Sequence, residues 1–342
     1  MSDFEARLVK FLDLNSEPAK FTALSQDAST REYFRITWQG RTAVACVYPE
    51  AFIAAEHNYI DVTRLFLAGG LPVAEILSVD EDLGIIVLED LGNTILRDVL
   101  AEATDATRDE LFDAAIALIA RIQAATPLAI RTGSVASRLK FDAEKLHWEL
   151  GFFKTHFFET YRKRPLGRAA SGAVEAEFRE ISRELESLAR VLCHRDFHAA
   201  NLMVEPDGRL RIIDHQDARI GSVSYDLVSL LLDRVTEPPP AAWIAAKEAK
   251  LLAQREMQGL AVIDAGEFAA EFRLQAIQRC LKAVGTFSYQ SAVRGKTYFI
   301  RYIRPMLEIT NLAIRETGRF RALEQILNEE LAENNEKDVN NL

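Results

Sequence analysis

Asp196, Asn201 and Asp214 constrain this 342-residue chain more tightly than any other feature. Asn201 opens the segment NLMVEPDGRLRIID and Asp214 closes it. Two short apolar runs flank a Pro-Asp-Gly turn there, the pattern of a β-hairpin. A hairpin returns its last residue to the level of its first, so an amide and a carboxylate meet at its open end. Asp196 lies five residues upstream of Asn201, in HRDFHAAN. So short a hairpin does not hold three polar groups in register unaided, and the remainder of the chain must supply a frame.

The frame is legible on both sides. Residues 20–48 read as three strands: FTAL, then REYFRITW after the polar SQDAST, then TAVACVY after the Gln39-Gly40 turn. Helical periodicity follows over residues 53–68 and stops at Gly69-Gly70. PVAEILSV and LGIIVLEDL are two further strands. From Asn93 onward apolar positions recur at helical spacing near 111–122, 143–160, 174–190, 241–258, 266–287 and 297–315. Pro238 to Pro240 reads as a break between helices. The expected fold is α+β and bilobal, of the protein-kinase-like type, with a small antiparallel-sheet N-lobe and a larger helical C-lobe. Residues 1–92 are the expected nucleotide-binding lobe, and 93–342 the helical catalytic and substrate-binding lobe.

His194-Arg195-Asp196 followed by Asn201 reproduces the H-R-D-x-x-x-x-N spacing of a kinase catalytic loop, and Asp214 stands where such enzymes hold a second metal ligand. Phosphoryl transfer needs a divalent metal to screen polyphosphate charge that would repel a nucleophile. A carboxylate and an amide oxygen suit hard Mg²⁺, which makes Asp214 and Asn201 the expected ligands. Asp196 would orient the acceptor hydroxyl and take its proton. Asp217 would support the site as a further acceptor. His198 and His215 lie close by, but their neighbours are Asp and Asn rather than Cys or His at zinc spacing.

The ATP side is sparser in signals. The first strands carry no G-x-G-x-x-G loop; Ser25, Ser29 and Thr30 stand there, and backbone amides with hydroxyls can contact phosphates in its place. Glu89 and Leu91, in LEDLG, fall where the lobes join, placing their backbone to pair with adenine. The third strand has no lysine, only Cys46, Val47 and Tyr48, so Glu56 lacks its expected partner. Arg31 or Arg35 is left to supply the missing positive charge.

The segments HRDFHAANLMV and IIDHQDARIGSVSYDLVSLLLD resemble the aminoglycoside/choline phosphotransferase superfamily. Within it, DASTREYFRI, LEDLGN and AIQRCLKAVGTFSYQSAVRGKTYFIRYI are similar to bacterial N-acetylmuramate/N-acetylglucosamine anomeric kinases, a likeness running from about Gln26 to Ile303. It departs from that group at Ala45 to Pro49 and at His215, where Phe is familiar. The resemblance implies transfer of the ATP γ-phosphate to the C1 hydroxyl of an amino sugar in peptidoglycan recycling. Members of that group likewise lack the third-strand lysine. Glu149, on a central helix, and Arg279 and Lys282, on a later one, are then candidate sugar contacts, and a lactyl carboxylate would favour one of the two cations. Tyr225-Asp226-Leu227 would anchor a helix against the catalytic hairpin. The aromatic run Phe152, Phe153, Phe157, Phe158 and Tyr161 reads mainly as core.

Composition narrows the partners. A net charge of −10 argues against a general nucleic-acid binder. Cys46, Cys193 and Cys280 form no CxxC pair, as suits a reducing compartment. The N-terminal stretch lacks the pattern of a signal peptide, and no continuous apolar run approaches a membrane span. A cytoplasmic protein with a small-molecule substrate and no obligate protein partner is expected. Two competing readings are a kinase of another small hydroxylated acceptor, choline-like or an aminoglycoside, and a nucleotide-binding scaffold without turnover.

Overall fold

The computed structural model describes residues 1–24 and 30–339, with side chains as far as Glu333. It divides into two compact units. The first gathers Met1–Leu111, Pro127–Val135 and Ala199–Ala218, and the second Phe112–Thr126, Ala136–His198 and Arg219–Leu342.

In the first unit, β1 (Phe21–Leu24), β2 (Glu32–Trp38), β3 (Arg41–Val47), β4 (Ile76–Asp80) and β5 (Ile85–Glu89) form one antiparallel sheet in the order β1-β2-β3-β5-β4. Helix α1 (Asp3–Leu14) starts at a capping box between Ser2 and Glu5 and packs Leu8, Phe11 and Leu12 against Phe34, Ile36 and Trp38. Alternation along β2 sends Tyr33 and Arg35 to the opposite face, because successive side chains of a strand point to opposite sides. There α2 (Asn58–Ala68) places Tyr59 and Ile60 with Cys46, Ile86 and Leu88. The helical periodicity expected from residue 53 is a 3₁₀ turn over Ala54–Glu56 followed by α2, and Glu56 is exposed.

Four short strands make two further antiparallel pairs. Of β6 (Val191–Cys193), β7 (Leu202–Val204), β8 (Leu210–Ile212) and β9 (Arg219–Gly221), β7 pairs with β8 and β6 with β9. The β7–β8 hairpin is the one expected from NLMVEPDGRLRIID. It is tied into the first unit by Ile212 N–H to Pro72 O (2.8 Å), by Val204 N–H to Thr94 O (2.9 Å) and by Arg211 between Glu89 and Glu205.

The helices after α2 are α3 (Leu96–Glu102), α4 (Asp105–Ala124), α5 (Thr126–Thr132), α6 (Val135–Arg138), α7 (Ala143–Phe153), α8 (Arg168–Leu188), α9 (Tyr225–Leu232), α10 (Ala241–Met257), α11 (Ala265–Ala292), α12 (Ile300–Thr317) and α13 (Arg321–Val339). Residues Asp105–Thr132 are long and apolar enough by composition to cross a membrane. Their apolar positions Ile116, Ile119 and Ile122 are buried in the protein, and Gln123 and Thr126 hydrogen-bond Val223 O and Leu192 N–H, as in the core helix of a soluble protein.

α7 continues into a π-helix over Lys154–Tyr161, in which Arg162 N–H reaches back to Phe157 O at 2.8 Å. The wider turn brings Phe153, Phe157 and Phe158 inward together, all buried, and leaves Phe152 half-buried. α11 crosses this segment closely at Gly285, where a Cβ would stand 2.7 Å from Phe153 Cα and 2.9 Å from Phe153 N. The neighbour is backbone and cannot rotate away. Gly285→Ala is therefore expected to destabilise the protein by about 1–3 kcal/mol, the usual cost of overpacking a close contact. Chemical denaturation checks this, and an unchanged midpoint would show that the two helices separate freely.

Candidate active site

Within the second unit the site is built on a buried carboxylate. Asp226, in the first turn of α9, accepts the backbone N–H of His194 (2.7 Å) and of Arg195 (3.1 Å). Burial pushes this carboxyl up to about 7, against those two donors. Arg195 is thereby held at φ 87°, a left-handed conformation that few non-glycine residues adopt. The next residue, Asp196, points into a group of cations. Arg279 Nη2 lies 3.5 Å from its Oδ1, and Arg195 Nε lies 3.7 Å from its Oδ2. Burial alone would raise the Asp196 carboxyl. Lys282, Arg279 and Arg195 outweigh it and hold the group below the usual carboxylate range. With 30% of its side chain exposed, Asp196 is ionised and reachable.

The two expected cations differ in how they are held. Arg279 donates from Nε and Nη2 to Ser229 Oγ, at 3.1 and 2.9 Å, which fixes its fork beside Asp196. Lys282 Nζ stands 3.5 Å from Glu149 Oε1. Burial and Arg279 bring its amine down to about 8, opposed by Glu149 and Asp196. Glu149 is buried and accepts Gln278 Nε2 at 2.8 Å, and Gln278 Oε1 accepts Gln275 Nε2 at 3.1 Å. The three residues singled out as sugar contacts, Glu149, Arg279 and Lys282, thus belong to one polar cluster in the same unit as Asp196.

The first unit carries the other half of the constellation. Asp214 follows β8 at φ 61°, and Ile213 N–H bonds Asn201 O at 3.1 Å. The Asn201 amide comes within 3.5 Å of Asp214 Oδ2, while Gln216 Nε2 donates to Oδ1 at 2.9 Å. Two oxygen donors on an exposed hairpin end fit a hard dication that keeps water and phosphate oxygens as its other ligands. Zinc finds no support: among the described residues no group of three or more His, Cys, Asp or Glu could hold a metal ion. His215 is buried between the rings of Tyr59 and Phe66, with Nε2 2.7 Å from Thr63 Oγ1. It fills the place of a packing ring and adds one hydrogen bond.

The residues expected at the nucleotide separate. Arg31 reaches Asp214, Nη2 to Oδ1 at 3.7 Å. Arg35, on the same face of the sheet, forks onto Asp90 at 2.7 and 2.9 Å and adds Asn93 Oδ1 at 2.9 Å. The Glu89 side chain pairs with Arg211 and its N–H with Glu75 O, while Leu91 packs in the cluster around Tyr59 and Cys46. Thr30 is exposed, and Ser25 and Ser29 lie outside the described residues. Sequence reasoning missed Ser229, Gln278 and Gln216, because short polar side chains on otherwise apolar or loop segments leave no periodic signal.

A family model described as the phosphotransferase enzyme family matches residues 20–263. A curated relative from Neisseria meningitidis serogroup B, named N-acetylmuramate/N-acetylglucosamine kinase, is 31% identical over 78% of this chain and 77% of its own length. A relative of the same name from Pseudomonas aeruginosa is 29% identical over 91% of this chain and 88% of its own. Among solved structures, a choline kinase from Streptococcus pneumoniae superposes with a TM-score of 0.57 at 14% identity, over 90% of this chain and 99% of that one.

Asp226→Asn keeps the size of the side chain and replaces one acceptor oxygen by a donor facing a backbone N–H. The expected loss is about 1–3 kcal/mol of stability, read by denaturation, together with a fall in turnover of roughly tenfold or more as Asp196 loses its fixed position. Wild-type turnover in a folded variant would show that the Asp196 loop holds itself.

Proposed function

This chain belongs to the phosphotransferase enzyme family and is a phosphotransferase acting on a hydroxyl acceptor; from that premise we propose that it is an ATP- and Mg²⁺-dependent kinase of the anomeric hydroxyl of N-acetylmuramate or N-acetylglucosamine. What carries the reading is the agreement between the acceptor in the relatives' names and the charge around Asp196. Arg279, Lys282 and Arg195 would repel a polycationic antibiotic or a quaternary amine, and they suit a neutral or anionic sugar. The intact Asp196, Asn201 and Asp214 speak against a scaffold without turnover.

In this mechanism Asn201 and Asp214 would hold the dication, whose charge would neutralise that of the polyphosphate. Asp196 accepts a hydrogen bond from the C1 hydroxyl, aligns its oxygen for attack and receives the proton as the bond to the γ-phosphorus forms and the bond from that phosphorus to the departing ADP oxygen breaks. Its cationic neighbours make it a weak base, and the anomeric hydroxyl is more acidic than an ordinary alcohol, so positioning outweighs basicity. Arg279, locked to Ser229, keeps Asp196 in place. Lys282 meets the lactyl carboxylate of muramate, and Glu149 fixes Lys282 from behind. The product, an α-1-phosphate, belongs in this reading to cytoplasmic recycling of peptidoglycan sugars.

Phosphorus NMR of the protein with ATP, Mg²⁺ and either sugar is expected to show an anomeric phosphate, and Asp196→Asn to cut its formation by roughly a hundredfold or more. A phosphate elsewhere on the sugar, or none with a folded protein, would overturn the acceptor assignment. A second measurement isolates Lys282. With its amine titrating at about 8, the charge that meets the carboxylate is present below that pH and lost above it. The KM for N-acetylmuramate should rise between pH 7 and 9 while that for N-acetylglucosamine stays level. Parallel profiles would remove Lys282 from acceptor recognition.

A further inference from the structure

The third strand offers no lysine to the nucleotide phosphates, and Arg31 and Arg35 share the sheet face on which it would stand. We propose that Arg31 supplies the missing cation and does so by exchanging partners: Asp214 in the nucleotide-free protein, polyphosphate oxygens once nucleotide is bound. The inference rests on the kinase reading of the site and is independent of the acceptor's identity.

Geometry separates the two arginines. The planar fork of Arg35 is matched on both arms by Asp90 and extended by Asn93 and the Gly92 carbonyl, so it staples β2 to the segment after β5. Moving it would dismantle that join. Arg31 lies between the rings of Tyr33 and Tyr48, 5.8 and 5.6 Å from their centroids, and Nη1 is 3.5 Å from the Tyr48 hydroxyl. The two rings and the hydroxyl aim the guanidinium. Tyr48 directly follows β3 in the stretch Cys46 to Tyr48 where the lysine is absent, and its side chain positions the Arg31 guanidinium.

The contact with Asp214 is of a kind that can be exchanged. At 3.7 Å it is longer than a charge-assisted hydrogen bond, and Asp214 is 44% exposed. A dication and a guanidinium compete for one carboxylate. The nucleotide–metal complex that takes Asp214 still carries net negative charge, and so offers Arg31 new oxygens as it removes the old ones. A guanidinium recognises phosphate through paired N–H donors, which a lysine would do as a point charge.

The test measures binding without any sugar. Calorimetry with adenylyl imidodiphosphate and Mg²⁺ compares wild type, Arg31→Ala, Arg31→Lys and Tyr48→Phe, and paramagnetic titration follows Mn²⁺ alone. Arg31→Ala should weaken the analogue roughly tenfold or more, Arg31→Lys should recover part of the loss, and Tyr48→Phe should cost a few-fold. Mn²⁺ alone should bind Arg31→Ala more tightly than wild type, since Asp214 has lost its competitor. Unchanged analogue affinity in Arg31→Ala would overturn the proposal, as would parallel loss of analogue and Mn²⁺, which would mark Arg31 as structural support. If the alanine variant does not fold, wild-type analogue affinity in both Arg31→Lys and Tyr48→Phe overturns it equally. Arg31-dependent nucleotide binding in a protein that phosphorylates neither sugar would overturn the acceptor assignment alone.

Discussion

The site depends first on one carboxylate that never meets substrate. Asp226 is fully buried, and both of its oxygens accept backbone N–H groups of the His194-Arg195 turn. Holding Arg195 in the left-handed region costs about 1–2 kcal/mol. Hydrogen bonds of this kind contribute about 0.5–1.5 kcal/mol each, so the pair offsets the strain and the turn stays ordered. The position of Asp226 at the start of α9 adds to this, because the first turn of a helix favours negative charge. Asp196 inherits its orientation from that turn.

Charge is then distributed with a division of labour. In the second unit the carboxylate of Asp196 is surrounded by Arg195, Arg279 and Lys282, and a second carboxylate, Glu149, balances the lysine. The outcome is a group that is ionised at any working pH and held still, at the expense of base strength. In the first unit the carboxylate of Asp214 is exposed, with Arg31 at ion-pair distance. The chain as a whole is acidic, and that average conceals both.

Much of this was legible in the chain itself. The five strands and the β7–β8 hairpin follow from alternation and turn residues, and Asp196, Asn201 and Asp214 follow from their spacing. Strands β6 and β9 are as short as β7 and β8, three residues each, but no turn in the sequence joins them, so nothing marks the pair. The π-helix was illegible for a different reason. Aromatics at 152, 153, 157, 158 and 161 are compatible with an ordinary helix, and nothing in their spacing marks the wider turn. The choice between Arg31 and Arg35 could not be made either. Both have the parity of one sheet face, and what separates them is Asp90, fifty-five residues away from Arg35 in sequence.

His215 shows how a departure from a familiar pattern can preserve its physics. The position holds a flat ring, buried beside α2 and immediately after the Asp214 carboxylate. The imidazole lies between Tyr59 and Phe66, and Thr63 accommodates its Nε2 at 2.7 Å. A buried polar ring without such a partner would cost about 1–3 kcal/mol. The hydroxyl on the facing helix turn therefore makes the substitution tolerable. The missing lysine follows the same logic on the other side of Asp214. In the proposed reading the positive charge near the phosphates comes from Arg31, just ahead of β2, where Tyr33 and Tyr48 hold the guanidinium.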